Sequence, residues 1–193
     1  MDQSLPPEAR FVWRDAGLDE LAVRSLQVTD LDAVADVVRR GEGYTLASLP
    51  TLQSVRADLE GFGENADKQG VIATGTGDSL AAFLLFFERD RSRNRFEGDL
   101  IGRLPASLFP PDGRFLQVYE LWVAPALRDR GVATALKQVL EAIARNRGVS
   151  MIYTVTEVVH ATARRLNSRL GYSEVYRGPM WDEVERVALA KRL

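Results

Sequence analysis

Arg128, Gly131 and Ala133 stand at R-x-x-G-x-A spacing within Arg128-Asp129-Arg130-Gly131-Val132-Ala133-Thr134. A strand-like run ending at Pro125 precedes them, and a strongly helical segment follows almost at once. Glycine lets backbone approach a ligand closely, and the first N–H groups of a helix have no partner within it. With the positive end of the helix dipole behind them, such amides form a pocket for phosphate. In isolation the same spacing would mark only a strand-to-helix turn, so the surrounding elements must decide. The triphosphatase pattern G-x-x-x-x-G-K-[ST] is absent, and Gly75-Thr76-Gly77 leads into a strand where a dinucleotide site needs a helix. The arginine-rich run 89–95 could attract an anion, but it reads more simply as a solvated loop tip.

The elements that must position this loop follow from periodicity and punctuation. Residues 21–28 alternate as a strand, and Thr29 or Asp30 then caps a helix to residue 40 with Leu31, Val34, Val37 and Val38 on its apolar face. Gly41 and Gly43 end that helix. Ser48 or Thr51 opens a second over 50–60, with Leu52, Val55 and Leu59 on one side. Residues 71–74 and 80–88 form a hairpin, and 89–114 read as an insertion-like loop rich in proline. A fourth strand over 115–123 leads through the glycine loop to a helix over 132–147, with Gly148 just past its end. A strand (151–156), a helix (161–170) stopped by Gly171, and strands over 172–176 and 184–193 complete the order. The first 20 residues, with Pro6 and Pro7, read as an extension packed through Phe11 and Trp13 onto a single domain over 21–193.

Composition narrows the chemistry. With 193 residues, 46% of them hydrophobic, the chain can bury a sizeable core, and a net charge of -2 gives no footprint for nucleic acid. The lack of cysteine removes disulfides, thiolate nucleophiles and cysteine metal sites. One histidine, His160, argues against a His-rich metal centre or a Ser-His-Asp triad, so no metal is expected. No apolar run approaches a membrane span, and the start Met1-Asp2-Gln3 is unlike a signal peptide, so a cytoplasmic protein without a membrane partner is expected.

Two signatures carry a resemblance. Leu121-Trp122-Val123-Ala124-Pro125 followed by Arg128-Asp129-Arg130-Gly131-Val132-Ala133 is one, and His160-x-x-Ala163-x-x-x-Asn167-x-x-x-Gly171-Tyr172 is the other. With the element order over 21–193, they resemble the GNAT superfamily of acetyl-CoA-dependent N-acetyltransferases. The resemblance implies an α/β (α+β) fold: a mixed central sheet of about six to seven strands, about four flanking helices, and a splay between the fourth and fifth strands. It implies acetyl-CoA as co-substrate, a primary amine as acceptor, and a homodimer as a common assembly. The pantetheine arm would enter the splay beside Leu121, Trp122 and Val123, and the amides from Arg128 to Thr134 would hold the pyrophosphate. Acceptor choice would fall to the first two helices, their connection and residues 89–114.

The reaction so implied is direct attack of a neutral amine on a thioester. An amine with a pKa of about 10.4 pays roughly 4–5 kcal/mol to be neutral at pH 7, so a general base matters. Glu120 is the first candidate, with Tyr119 and Glu157 as competitors; its alternative is a sheet-face carboxylate paired to an arginine. Protonating the leaving thiolate is worth less, roughly 2 kcal/mol. Asn167 stands where the family usually carries its general-acid tyrosine. Its amide can hydrogen-bond the sulfur or the pantetheine but cannot supply a proton, which leaves water or a hydroxyl of Tyr153, Ser168 or Tyr172. His160 replaces the usual asparagine and could touch the pantetheine or cap its helix. The aromatics Trp122, Trp181 and Phe62 read as core, and Tyr44 as exposed to substrate. A domain that binds acyl-CoA without turnover, as a sensor or oligomerisation module, is the alternative that Asn167 favours.

Overall fold

The structure, a computed structural model, describes residues 5–18, 20–41, 50–91 and 100–193. In chain order its elements are α1 (Pro7–Asp15), β1 (Ala22–Ser25), α2 (Leu31–Arg39), α3 (Leu52–Asp58), β2 (Lys68–Thr74), β3 (Leu80–Asp90), α4 (Leu100–Arg103), β4 (Arg114–Val123), α5 (Val132–Asn146), β5 (Met151–Glu157), α6 (Ala161–Arg169), β6 (Ser173–Pro179) and β7 (Glu185–Arg192). The seven strands form one sheet in the order β1-β2-β3-β4-β5-β7-β6. Every neighbouring pair is antiparallel except β4 and β5. This is the expected mixed α/β architecture, with α1 and α4 added to the helices read from the sequence.

Alternation along the strands divides the core between the two faces of the sheet. Leu84 and Phe86 of β3, with Leu116 and Val118 of β4, pack against the apolar stripe of α5 (Val132, Leu136, Val139, Leu140, Ile143). On the opposite face Phe83 and Leu85 meet Leu31 and Val34 of α2, Val55 of α3, and Leu59 and Phe62 beyond it. Further along, Phe115, Met151 and Tyr153 meet Ile101, Leu104, Phe109 and Met180. Two apolar blocks therefore flank the middle of β4 on the face away from α5.

The differences from the sequence reading have physical causes. The extension with Pro6 and Pro7 contains a helix: a proline is well suited to the first helical turn, and here Pro7 opens α1. That helix lies on α5, burying Ala9 and Trp13, and the Trp13 indole N–H donates to Leu21 O at 3.1 Å. Nothing is described of the Phe11 side chain. Val28 leaves the first strand for a 3-10 turn, and Leu52 is exposed and so departs from the buried stripe of Val55 and Leu59. Residues 100–109 are not open loop: Ile101, Leu104 and Phe109 are buried. Nor are Arg89 and Arg91 a solvated tip, since their guanidinium groups sit over the rings of Phe87 (4.9 Å) and Phe109 (5.0 Å). Residues 92–95, Gly43, Tyr44 and Ser48 lie outside the described residues. Among the described residues no helix is long and apolar enough to cross a membrane.

Candidate active site

Strand β4 shapes the site through one extra residue. It pairs with β3 at Val118↔Phe86 and resumes at Glu120↔Leu85, which leaves Tyr119 as a bulge. Leu116 and Val118 face α5 before the bulge, and Leu121 and Val123 face it afterwards. Tyr119 and Glu120 thus fall consecutively on the other face, in phase with Trp122. The Tyr119 ring packs on Phe62 (5.6 Å) and Phe87 (5.2 Å) while staying 43% exposed, and Trp122 stacks on Phe83 at 5.8 Å.

Glu120 thereby reaches the strip between the two apolar blocks. Its side chain is exposed to water, while the neighbouring protein crowds the carboxyl. Desolvation pushes its pKa up to about 7, partly opposed by the backbone N–H of Leu121. Among the described residues no arginine or lysine forms an ion pair with Glu120. Its competitor Glu157 lies 3.8 Å from Arg186.

On its other edge β4 meets β5 at only two registered pairs, Leu116↔Ile152 and Gln117↔Tyr153. Both strands continue, to Val123 and Glu157, without pairing to each other. The facing backbone groups are open to an extended chain bearing amides of its own.

The glycine loop sits at the mouth of this gap. A 3-10 turn over Pro125–Leu127 leads to Arg128 in extended backbone, and Arg128 Nε donates to Val123 O at 3.3 Å, holding the turn against β4. Asp129 (φ 61°) and Gly131 (φ 86°) are both left-handed, and Gly131 is the N-cap of α5. The first intrahelical bond runs from Ala135 N to Gly131 O at 2.9 Å. The N–H groups of Val132, Ala133 and Thr134 precede it, and among the described residues no side chain caps them. This is the backbone arrangement that holds a phosphate. Of the two arginines, Arg130 is engaged by Glu20 at 2.5 Å.

The second signature lies across the gap. His160, three residues beyond β5, is exposed and is the N-cap of α6, where its side chain makes no capping bond. Asn167 is 4% exposed; its Nδ2 donates to Ala163 O at 3.0 Å, and its Oδ1 has no partner among the described residues. Of the alternative hydroxyls, Ser168 is exposed, Tyr153 is fully buried, and Tyr172 is buried with an unpartnered oxygen. Trp181 is not core: it is 66% exposed, with the Arg186 guanidinium 4.3 Å from its ring. Among the described residues no cluster of His, Asp and Glu could hold a metal ion. Two features escaped the sequence reading. The bulge at Tyr119 has no compositional signal, and the buried Lys137 of α5 was hidden by its charge, although it shares a face with Ala133 and Ala144.

The sequence pattern of the acetyltransferase (GNAT) family matches residues 56–172, from α3 through Tyr172. This chain belongs to the GNAT family. No curated protein matches the sequence of this GNAT protein. Its fold is similar to that of Arabidopsis thaliana NAA60 in complex with acetyl-CoA, with a TM-score of 0.68, 14% identity, and 90% of this chain and 98% of that one covered. It is also similar to the ribosomal-protein-S18-alanine N-acetyltransferase of Escherichia coli (TM-score 0.61, 16% identity, 89% and 93% covered). An N-acetyltransferase from Staphylococcus aureus Mu50 is a further neighbour (0.63, 13% identity, 89% and 98% covered). At such identities the likeness is one of fold.

Proposed function

We propose that this GNAT protein moves an acetyl group from acetyl-CoA to a primary amine by direct attack, with Glu120 as general base. The observation that carries the reading is the conjunction of three features at one end of β4: uncapped amides at the α5 N-terminus, an unpaired β4 edge, and a crowded carboxylate next to that edge. In this reading the amides of Val132 to Thr134 bind the cofactor diphosphate, with positive charge from Arg128. Leu121 and Val123 pair through their backbone with the amides of the pantetheine arm, which orients the thioester. Glu120 takes the proton that the amine loses; with a pKa near 7 its basic form is available at neutral pH. The groove between the two apolar blocks, floored by Gln117, Tyr119 and Glu120, receives the acceptor. We assign the activity to one domain over 21–193, with 1–20 as an extension on it, in a cytoplasmic protein.

Thermal unfolding with and without acetyl-CoA tests the first half of the reading. At 100 times the dissociation constant, linkage gives about 2.7 kcal/mol of stabilisation. Release of free thiol across a panel of amines tests the second half. A second reading, a domain that binds acyl-CoA without turnover, is favoured by Asn167, whose amide donor is directed to Ala163 O. It predicts the stabilisation without thiol release from any amine.

A further inference from the structure

Three polar atoms are buried without a hydrogen-bond partner among the described residues: Lys137 Nζ of α5, Asn167 Oδ1 of α6, and Tyr172 Oη just before β6. Tyr172 N donates to Asn167 O at 3.0 Å, and Lys137 Nζ lies 4.8 Å from the centre of the Tyr172 ring. Lys137 is 2% exposed. The carboxylate one turn along its helix, Glu141, is already engaged: Oε1 accepts from Lys191 at 2.6 Å, and Oε2 lies 3.5 Å from Arg145. An interior ammonium without a partner costs stability, and such groups gather where a ligand supplies what is missing. Tyr172 thus links Lys137 to Asn167 of the second signature. Lys137 is six residues beyond Gly131, about 9 Å along the helix axis, which is shorter than a pantetheine arm.

Resting on the transferase reading above, we propose that Lys137 donates the proton to the departing CoA sulfur, the role that Asn167 cannot fill. As the amine nitrogen bonds to the thioester carbon, the carbon–sulfur bond breaks and its electron pair leaves on sulfur. Lys137 Nζ–H passes a proton to that sulfur, giving the free thiol and a neutral lysine. Glu120 takes the proton lost by the amine, and exchange with solvent restores both groups. Burial pushes the Lys137 ammonium down to about 7, opposed by the Glu141 carboxylate, whereas a free thiol ionises at about 8.5, so the transfer runs downhill. The other titratable groups facing Lys137 are Lys191 of β7, held by Glu141, and Tyr172, whose hydroxyl burial pushes far up and so keeps neutral.

The test compares the full chain with Lys137→Met, which removes the donor and keeps the length of the stem. If the wild-type protein neither binds acetyl-CoA nor releases thiol, the transferase reading fails and this inference falls with it. Given wild-type turnover, Lys137→Met should lower kcat by roughly tenfold to a hundredfold and leave the KM for acetyl-CoA little changed. The descending limb of the kcat–pH profile near 7 should disappear with it. Independently of activity, the thiol of bound free CoA should ionise at a higher pH in the variant. In the wild type, NMR titration of the Lys137 side chain should move upward with CoA and much less with desulfo-CoA, which bears no thiol. Unchanged kcat and pH profile in the variant, or equal NMR shifts with the two ligands, would overturn the assignment.

Discussion

Replacing Lys137 with methionine should make the protein more stable. The ammonium is enclosed between α5 and the Tyr172 ring without a carboxylate of its own, and burial depresses its pKa from the ordinary 10.5 to about 7. That difference corresponds to at most about 5 kcal/mol of penalty on the charged form, already reduced by the attraction of the Glu141 carboxylate. Methionine fills much the same volume and carries no charge. Allowing for relaxation around the site, we expect a gain of at least about 2 kcal/mol at pH 6, or roughly 4–8 °C in Tm for a domain of this size. The sign with pH is fixed by linkage. Below pH 7 the lysine is charged in both the folded and unfolded states, so the wild-type protein carries the whole penalty. Between pH 7 and 10.5 only the unfolded chain holds the extra proton, so wild-type stability climbs with pH and the variant's advantage shrinks. Urea unfolding of both proteins at pH 6, 8 and 9.5 measures this. A variant less stable than wild type at pH 6, or an advantage independent of pH, would refute the account of Lys137 as a desolvated cation.

Three other perturbations bear on the site. Glu120→Gln should lower kcat by about 10²–10⁴, abolish the rise in rate as pH climbs through 7, and leave acetyl-CoA affinity intact; pH-dependent kinetics with calorimetry check all three. Gly131→Ala places a side chain where nothing lies within 4 Å, so its cost comes from the left-handed backbone alone, about 1–2 kcal/mol. Urea unfolding should register that cost, and weaker acetyl-CoA binding should accompany it because the loop relaxes. Asn167→Ala should cost less activity than Glu120→Gln, because its amide donor is directed to Ala163 O; loss of turnover with acetyl-CoA binding intact would show the reverse.

The segment from β4 through α5 was legible because period, glycine and helix start all agree there. Gly148 and Gly171 end their helices with left-handed backbone, as their positions after an apolar stripe imply, and Thr51 caps α3 by accepting from Ser54 N at 3.0 Å. The features that escaped are properties of pairing and burial. A bulge is a mismatch in length between two strands, so nothing in Val118-Tyr119-Glu120 announces it until β3 is laid alongside. Lys137 carries the residue type that normally marks a solvent face, and only the packing of Tyr172 over that part of α5 encloses it. In α1, read from the sequence only as a packed extension, Pro7 opens the helix, and its docking on α5 depends on a partner more than a hundred residues away.

The scarcity of rungs between β4 and β5 has a mechanical consequence. Within the sheet, a two-rung seam joins the panel β1–β4 to the panel β5–β7. An extended ligand laid along that seam would stitch the panels with hydrogen bonds the chain does not itself provide. Amide exchange in the C-terminal halves of β4 and β5 should therefore slow sharply when the ligand is present, while the β2–β3 hairpin, paired along its length with one irregularity at Thr74, should hardly change.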